Sequence, residues 1–437
     1  MSGPKVSEYT LTSEQLAAIE AEIRRIQEEA ALKAKLLQEK DTDLKNLQKQ
    51  KTLCISMQNF LDKYKIWLVA DGTQCSVAEW EIVLTDIIAD LNHCSNNMPC
   101  DKLEATLNKV QIKIKISQQL SQSLQMKLAS LKKQLEENLS SEINELFDSP
   151  NLVENIQDNT VSESLSKFIG SLYELEDNQY LPISYKLKIK SAIERISLAK
   201  STNNLKSFCQ IELAELVKEC NEFIALWQSI GEQYIGLCAR YEALQKINGC
   251  SKLQIVTFSK DAIAKLTELI QVEEAKAKEY SKQEYIRTAL SEVMREMGYD
   301  VLGEREVTKT NGKHFENELY KYGKDTAVNV TYADNGQITL ELGKLDSEDR
   351  IPTITETNYL ENAMVGFCTN FKTIENRLLE KGVVLENRIV LTPPSAQYAQ
   401  IINVDDYDIV QEQGQKTIVK KHKLPEVRKL KRTIDND

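Results

Sequence analysis

Apolar residues recur at alternating steps of three and four over most of the first 298 positions, and at steps of two in much of the remainder. The first spacing is the seam of a coiled-coil helix and the second the face of a strand. Leu16, Ile19, Ile23, Ile26, Ala30, Leu37, Leu44, Leu47, Cys54 and Leu61 hold the opening seam, and Lys33, Lys40, Lys51 and Gln58 fill the places it skips. Thr12 followed by Gln15 has the capping-box pattern, with Leu11 and Leu16 spaced for a hydrophobic staple. An unbroken helix from residue 12 to about 61 would be about 75 Å long. Ala-Asp-Gly-Thr at 70–73 predicts a break, and Ser76 with Glu79 opens a second helix. The turn-rich run 92–101 precedes a third, to about 147, carried by Leu107, Val110, Ile114, Leu124, Leu128, Leu131 and Leu135. Ser117 and Ser121 are polar gaps in that seam.

Shorter helices are predicted near 161–176 and 184–199, the first with a Thr160/Glu163 cap. The most regular seam follows in a helix over 205–247. Leu213, Leu216, Cys220, Phe223, Trp227, Ile230, Tyr234, Leu237, Tyr241 and Leu244 keep strict three-four spacing. Phe, Trp and Tyr are bulky for a two-stranded seam, so a thicker bundle is expected. Gly249 lies where a left-handed C-cap belongs. A last long helix, about 259–297, stops at Gly298. No internal repeat of 20–50 residues stands out, which disfavours a solenoid.

Beyond 298 the pattern changes. Val328, Val330 and Tyr332 share one strand face, as do Ile338, Leu340 and Leu342. A two-residue Asn335-Gly336 turn would mix the faces, because a slip of one residue reverses every side chain. A three-residue loop, Asp334-Asn335-Gly336, sets Tyr332 opposite Ile338 and Val330 opposite Leu340, with Gly336 left-handed. Val307 opposite Phe315 makes a weaker second hairpin. Four strands are expected between about 300 and 343, a helix over about 357–381 closed by Gly382, and further strands in 383–391 and 399–405. The fold class is therefore mainly α: a long coiled-coil or helical-bundle region over two-thirds of the chain, then a small α+β domain with an antiparallel sheet. The expected division is an N-terminal extension 1–11, a long-helix region 12–148, a helical bundle 160–298, an α+β domain 299–412 and a basic tail 413–437.

Composition supports a folded chain: 41% of the 437 residues are hydrophobic and 28% charged. The net charge of −11 gives no general attraction to nucleic acid. The tail differs, since residues 415–437 hold eight Lys/Arg and three Asp/Glu, leaving +5 there and −16 elsewhere. Nine cysteines without paired spacing are expected to be reduced thiols in a cytoplasmic protein. The start of the chain has no apolar run of leader type, and no stretch of about 18 apolar residues suggests a membrane span.

Candidate chemistry is thin. No Gly-Lys pair has the second glycine and following Ser/Thr of a phosphate loop. His93, Cys94 and Cys100 cluster, but a zinc site needs a second ligand pair. Asp405, Asp406 and Asp408 lack the glycine and distal glutamate of a calcium loop. His314, Glu316 and Glu318 alternate on one strand face, where they could hold a divalent cation or do acid–base work; the simpler reading is a solvated sheet face opposite Phe315 and Leu319. Lys416, Lys420, Lys421, Lys423, Arg428, Lys429, Lys431 and Arg432 could contact an anionic partner. No catalytic residue, cofactor, metal site or small-molecule substrate is assigned. The expected function is a non-enzymatic cytoplasmic scaffold or adaptor, acting through self-association or a protein partner. Its interaction seam is Leu213, Leu216, Phe223, Trp227, Ile230, Tyr234, Leu237 and Tyr241, with the α+β domain as docking module. The alternatives are nucleic-acid association through the tail, or an enzyme or metal site on the sheet.

Overall fold

A computed structural model of the chain describes residues 4–64, 73–146, 169–198, 208–308, 314–333 and 335–409. Seven long helices carry most of it: α1 (Ser13–Lys63), α2 (Thr73–His93), α3 (Cys100–Leu146), α4 (Ile183–Leu198), α5 (Ala214–Ile247), α6 (Ala262–Glu296) and α7 (Ile354–Glu380). Residues 169–176 are also helical. Strands β1 (Lys5–Leu11), β2 (Val301–Thr308), β3 (His314–Lys321), β4 (Thr326–Ala333), β5 (Gln337–Asp346), β6 (Val383–Leu391), β7 (Ile401–Asn403) and β8 (Asp408–Ile409) form one sheet. The fold is thus mainly α with a small sheet-containing part. No helix among the described residues is long and apolar enough to cross a membrane. Of the predicted break at 70–73, residues 70–72 lie outside the described residues and Thr73 starts α2, with Ser76 inside it; the Thr160/Glu163 cap also lies outside the described residues.

The chain divides into a helical unit, Ala18–Tyr280, and a sheet-bearing unit, Met1–Ala17 with Ser281–Asp437. In the helical unit, α1, α2 and α3 share a core of Leu47, Cys54, Met57, Trp80, Leu84, Ile87, Leu91, Leu103, Val110 and Leu124. The polar seam positions acquire partners. Lys40 Nζ donates to the Cys94 carbonyl at 2.8 Å, and Gln58 Nε2 to Glu81 at 2.8 Å. The gap at Ser117 receives the indole N–H of fully buried Trp80 at 2.9 Å, and the Ser117 hydroxyl donates to Gln50 at 3.3 Å. A buried indole needs such an acceptor, so the serine sits where an apolar residue would orphan it.

The α5 seam is covered in two pieces. Leu213 and Cys220 join Leu172, Leu181, Ile189 and Ile196. Tyr241 and Leu244 join Ile23, Val256, Leu266 and Ile270. Between them Trp227 lies 4.7 Å from the Phe258 ring and over Gly231, where a Cβ would come within 2.9 Å of the indole. Residues 209–213, placed in the same helix by periodicity, form a separate π-helical turn.

In the sheet the strand order is β6-β1-β5-β4-β3-β2-β8, with β7 alongside β5. Among the described residues only the β5–β7 pairing is parallel. The hairpin register sets Tyr332 opposite Ile338 and Val330 opposite Leu340, with Gly336 at φ +80. Val307 faces Phe315. Helix α7 buries Leu360, Met364, Phe367, Phe371, Ile374 and Leu378 at strict three-four spacing. A capping box of Thr353 and Glu356 starts it, and Gly382 at φ +79 ends it.

Residues 5–11, read from sequence as part of an extension, instead form β1, an interior strand. They pair with β5 on one side and β6 on the other. Tyr9 and Leu11 are buried on the same face as Lys5 and Ser7, so the alternation is half polar and gives no strand signal. Since β6 has no other strand partner among the described residues, a fragment of residues 281–409 alone is expected to lack a cooperative thermal transition. Adding a peptide of residues 4–12 should restore it, as read by circular dichroism.

Candidate functional site

Of the polar trio on β3, Glu318 is enclosed, while His314 and Glu316 are half-buried. The α6 residue Arg287 lies across that face of the strand. Its Nε donates to Glu318 Oε1 at 2.7 Å, its Nη1 bonds Glu316, and its Nη2 lies 3.9 Å from Glu304. Tyr320 and Tyr332 donate their hydroxyls to Glu318 Oε2 at 2.5 and 3.0 Å. Glu318 is 5% exposed. The expected solvated face differs because α6 covers it, so both faces of the strand centre are buried. On the opposite face, Asn317 donates to Asn329 and Thr331, and Tyr407 donates to Asn329 at 3.1 Å.

Burial, with the Glu318 charge second, raises the Tyr320 and Tyr332 hydroxyls far above their ordinary value. Burial opposes the Arg287 charge, yet Glu318 and Glu316 outweigh it and hold the guanidinium more firmly protonated than usual. Both Glu318 oxygens are therefore committed to donors. His314 stands at the margin, with Nε2 3.9 Å from Glu316 and Nδ1 3.3 Å from Thr308. The arrangement clamps α6 to β2, β3 and β4. Among the described residues no group of three or more His, Cys, Asp or Glu is placed to hold a metal ion.

The other candidates are dispersed. Cys94 and Cys100 are buried in the α1–α3 core, where burial raises both thiols. Asp406 pairs with Arg305 at 2.9 Å. Of the seam residues, Leu213 and Tyr241 are buried; Leu216, Phe223, Trp227, Ile230, Tyr234 and Leu237 are half-buried. Lys416, Lys420, Lys421, Lys423, Arg428, Lys429, Lys431 and Arg432 lie outside the described residues.

Sequence reasoning passed over Lys5. Its side chain is 1% exposed, and its Nζ has no hydrogen-bond partner among the described residues. It lies 4.6 Å from the Phe367 ring centroid and 4.9 Å from that of Phe371. Ser7, two residues along on the same face, also has a buried, unpartnered hydroxyl. Burial lowers the Lys5 proton affinity, opposed first by the Cys368 thiol and then by Glu375. The same burial pushes Tyr9 up to about 12. The signal was a charged residue on the parity of Tyr9 and Leu11.

Neither a family model, nor a curated protein, nor a solved structure matches the chain.

Arg287→Met removes the cationic partner of buried Glu318, and is expected to cost about 3–5 kcal/mol in denaturant unfolding. Adding Glu318→Gln should recover part of that loss. Lys5→Met has the opposite sign: removing an unpaired buried ammonium should stabilise by about 1–2 kcal/mol near neutral pH, after loss of the ring contacts. Between the lowered folded pKa and the ordinary 10.5, the native state binds fewer protons than the unfolded chain. Wild-type stability therefore gains from this group as pH rises through that window, and the advantage of Lys5→Met should shrink toward pH 10.5.

Proposed function

We propose that this chain is a non-enzymatic scaffold of the cytoplasm that assembles a complex through its helical unit, with the sheet-bearing unit as a docking module. The observation that carries this reading is a set of apolar side chains left facing outward after the intrachain seams are filled. On α3, Ile112, Ile116 and Met126 are 63%, 57% and 70% exposed, although Val110, Ile114 and Leu124 beside them are buried. On α4, Ile183 and Leu187 are likewise exposed, one helical turn apart. Contiguous outward apolar groups on a folded surface mark sites of association.

Two further observations support it. Glu316 and Glu318 are held by Arg287, and Glu318 also by two tyrosine hydroxyls, which favours a structural role there over a chemical one. The described cysteines, Cys54, Cys75, Cys94, Cys100, Cys220, Cys238, Cys250 and Cys368, are free thiols, as a reducing compartment would keep them.

Light scattering over a range of protein concentrations tests the self-associating form of this reading. The particle mass is expected to rise above the 49.8 kDa of one chain, and an Ile112→Glu/Ile116→Glu variant should stay at the single-chain mass. A wild-type protein that remains a single chain throughout, with the variant indistinguishable from it, would overturn self-association through α3.

A further inference from the structure

Strand β6 ends the sheet. It bonds β1 on its inner side, and among the described residues neither a strand nor any other backbone group bonds its outer side. Val383–Leu391 therefore presents a row of backbone N–H and C=O groups open to another chain. The order of side chains along the strand is mirrored about its centre: Val-Val-Leu, then Glu386, Asn387 and Arg388, then Ile-Val-Leu. Antiparallel pairing runs one strand against the reverse of the other. When two copies of β6 meet with Asn387 opposite Asn387, Glu386 of each lies opposite Arg388 of the other. Leu385 then lies opposite Ile389, and Val384 opposite Val390. Neighbouring registers lose this match. A shift of one residue sets Glu386 opposite Ile389, or Arg388 opposite Leu385. A further residue sets Glu386 opposite itself, or Arg388 opposite itself. Opposite charges across a strand pair stabilise it, and like charges directly opposite destabilise it. The mirrored order thus selects one register, and it selects it for a second copy of the same strand.

We propose that the outer edge of β6 is an interaction surface for a second copy of this chain, which pairs antiparallel with it about a two-fold axis at Asn387. The inference names a partner for the docking role of the sheet-bearing unit, and to that extent rests on the scaffold reading. Pairing merges the two sheets into one, and each copy closes the open edge of the other. The side chains are available for it. Glu386 is exposed and Ile389 is 42% exposed. Both lie where β6 shifts register against β1, so neither has a β1 partner. Such bulges commonly blunt an edge strand. Here each displaced side chain meets its complement on the other copy, Glu386 with Arg388 and Ile389 with Leu385. Arg388 donates to Glu375 through Nη2 at 2.5 Å, which leaves the rest of its guanidinium fork to a second carboxylate. The pairing acts beside the outward isoleucines of α3 as one of several weak contacts.

Disulfide trapping in the full chain tests this. In an Asn387→Cys variant the two introduced thiols face each other, with Cα atoms about 4.5–5.5 Å apart, a separation that a disulfide spans. Mild oxidation of the native variant is expected to join two peptides that both carry position 387. Mass-spectrometric mapping separates this product from bonds made at the exposed Cys75 and Cys250. The joined peptide should be absent when oxidation is done in urea. Adding Glu386→Arg, a change to an exposed side chain, sets a second arginine opposite Arg388 and should lower the yield several-fold. Adding Arg388→Glu as well restores complementarity and should return the yield to near its first level. No joined peptide from the native variant at any concentration would overturn the proposal and leave the edge to another occupant. A yield that Glu386→Arg does not change would also overturn it, since that marks random collision. The joined peptide reports β6 alone. A chain whose mass rises by light scattering without it would sink this inference and leave association through α3 standing. A joined peptide from a protein whose mass ignores the α3 substitutions would do the opposite.

Discussion

A polar group carried into an apolar interior costs free energy unless a partner waits for it there. In the helical unit this constraint acts on the seams. Their lysines, glutamines and serines would weaken a generic coiled coil, since each loses water on burial. Here they specify one arrangement. Ser117 finds its partner in the Trp80 indole, and Lys40 in the Cys94 carbonyl just past the end of α2. A shift of one heptad would strand both. The polar positions therefore select α2 and α3 of the same chain as the companions of α1, which the apolar positions alone do not decide.

The same constraint shapes the sheet-bearing unit. Its central strands are buried on both faces, so polar side chains on them need internal solutions. Asn317, Asn329, Thr331 and Tyr407 satisfy one another on one side. Arg287, Glu318, Tyr320 and Tyr332 do so on the other. Lys5 and Ser7 on β1 are exceptions, and Lys5 is the charged one. Lys5 Nζ lies over two aromatic faces, each such contact worth on the order of 2 kcal/mol for a desolvated cation, which offsets part of its desolvation cost.

Much of the architecture was legible because periodicity is local. The seam of α5, the three-residue loop at Gly336 and the helix closed by Gly382 each follow from residues within one or two turns of each other. What stayed hidden depends on distant pairings. Glu318 read as a solvated carboxylate because nothing near it announces Arg287, 31 residues earlier. Strand β1 escaped because its buried face carries Lys5 and Ser7, while Val6 on the other face carries the apolar residue a reader looks for. The Thr353/Glu356 box at the start of α7 is local and could have been read; it has the same Thr-x-x-acid/amide form as the one at Thr12.

The exposed apolar residues bear on assembly through their extent. The covered rows are long and continuous, as Leu103 to Leu131 on α3 shows. The outward ones are short: Ile112 with Ile116, and Ile183 with Leu187, each a single turn. A stable interface removes about 800 Å² from each partner, several times what two isoleucines present. One such pair cannot hold a permanent dimer. A scaffold built on them would hold partners through several weak contacts at once, and the effective concentration created by the first would strengthen the next. On that argument, the same economy that lets the chain cover its own seams leaves it suited to reversible assembly.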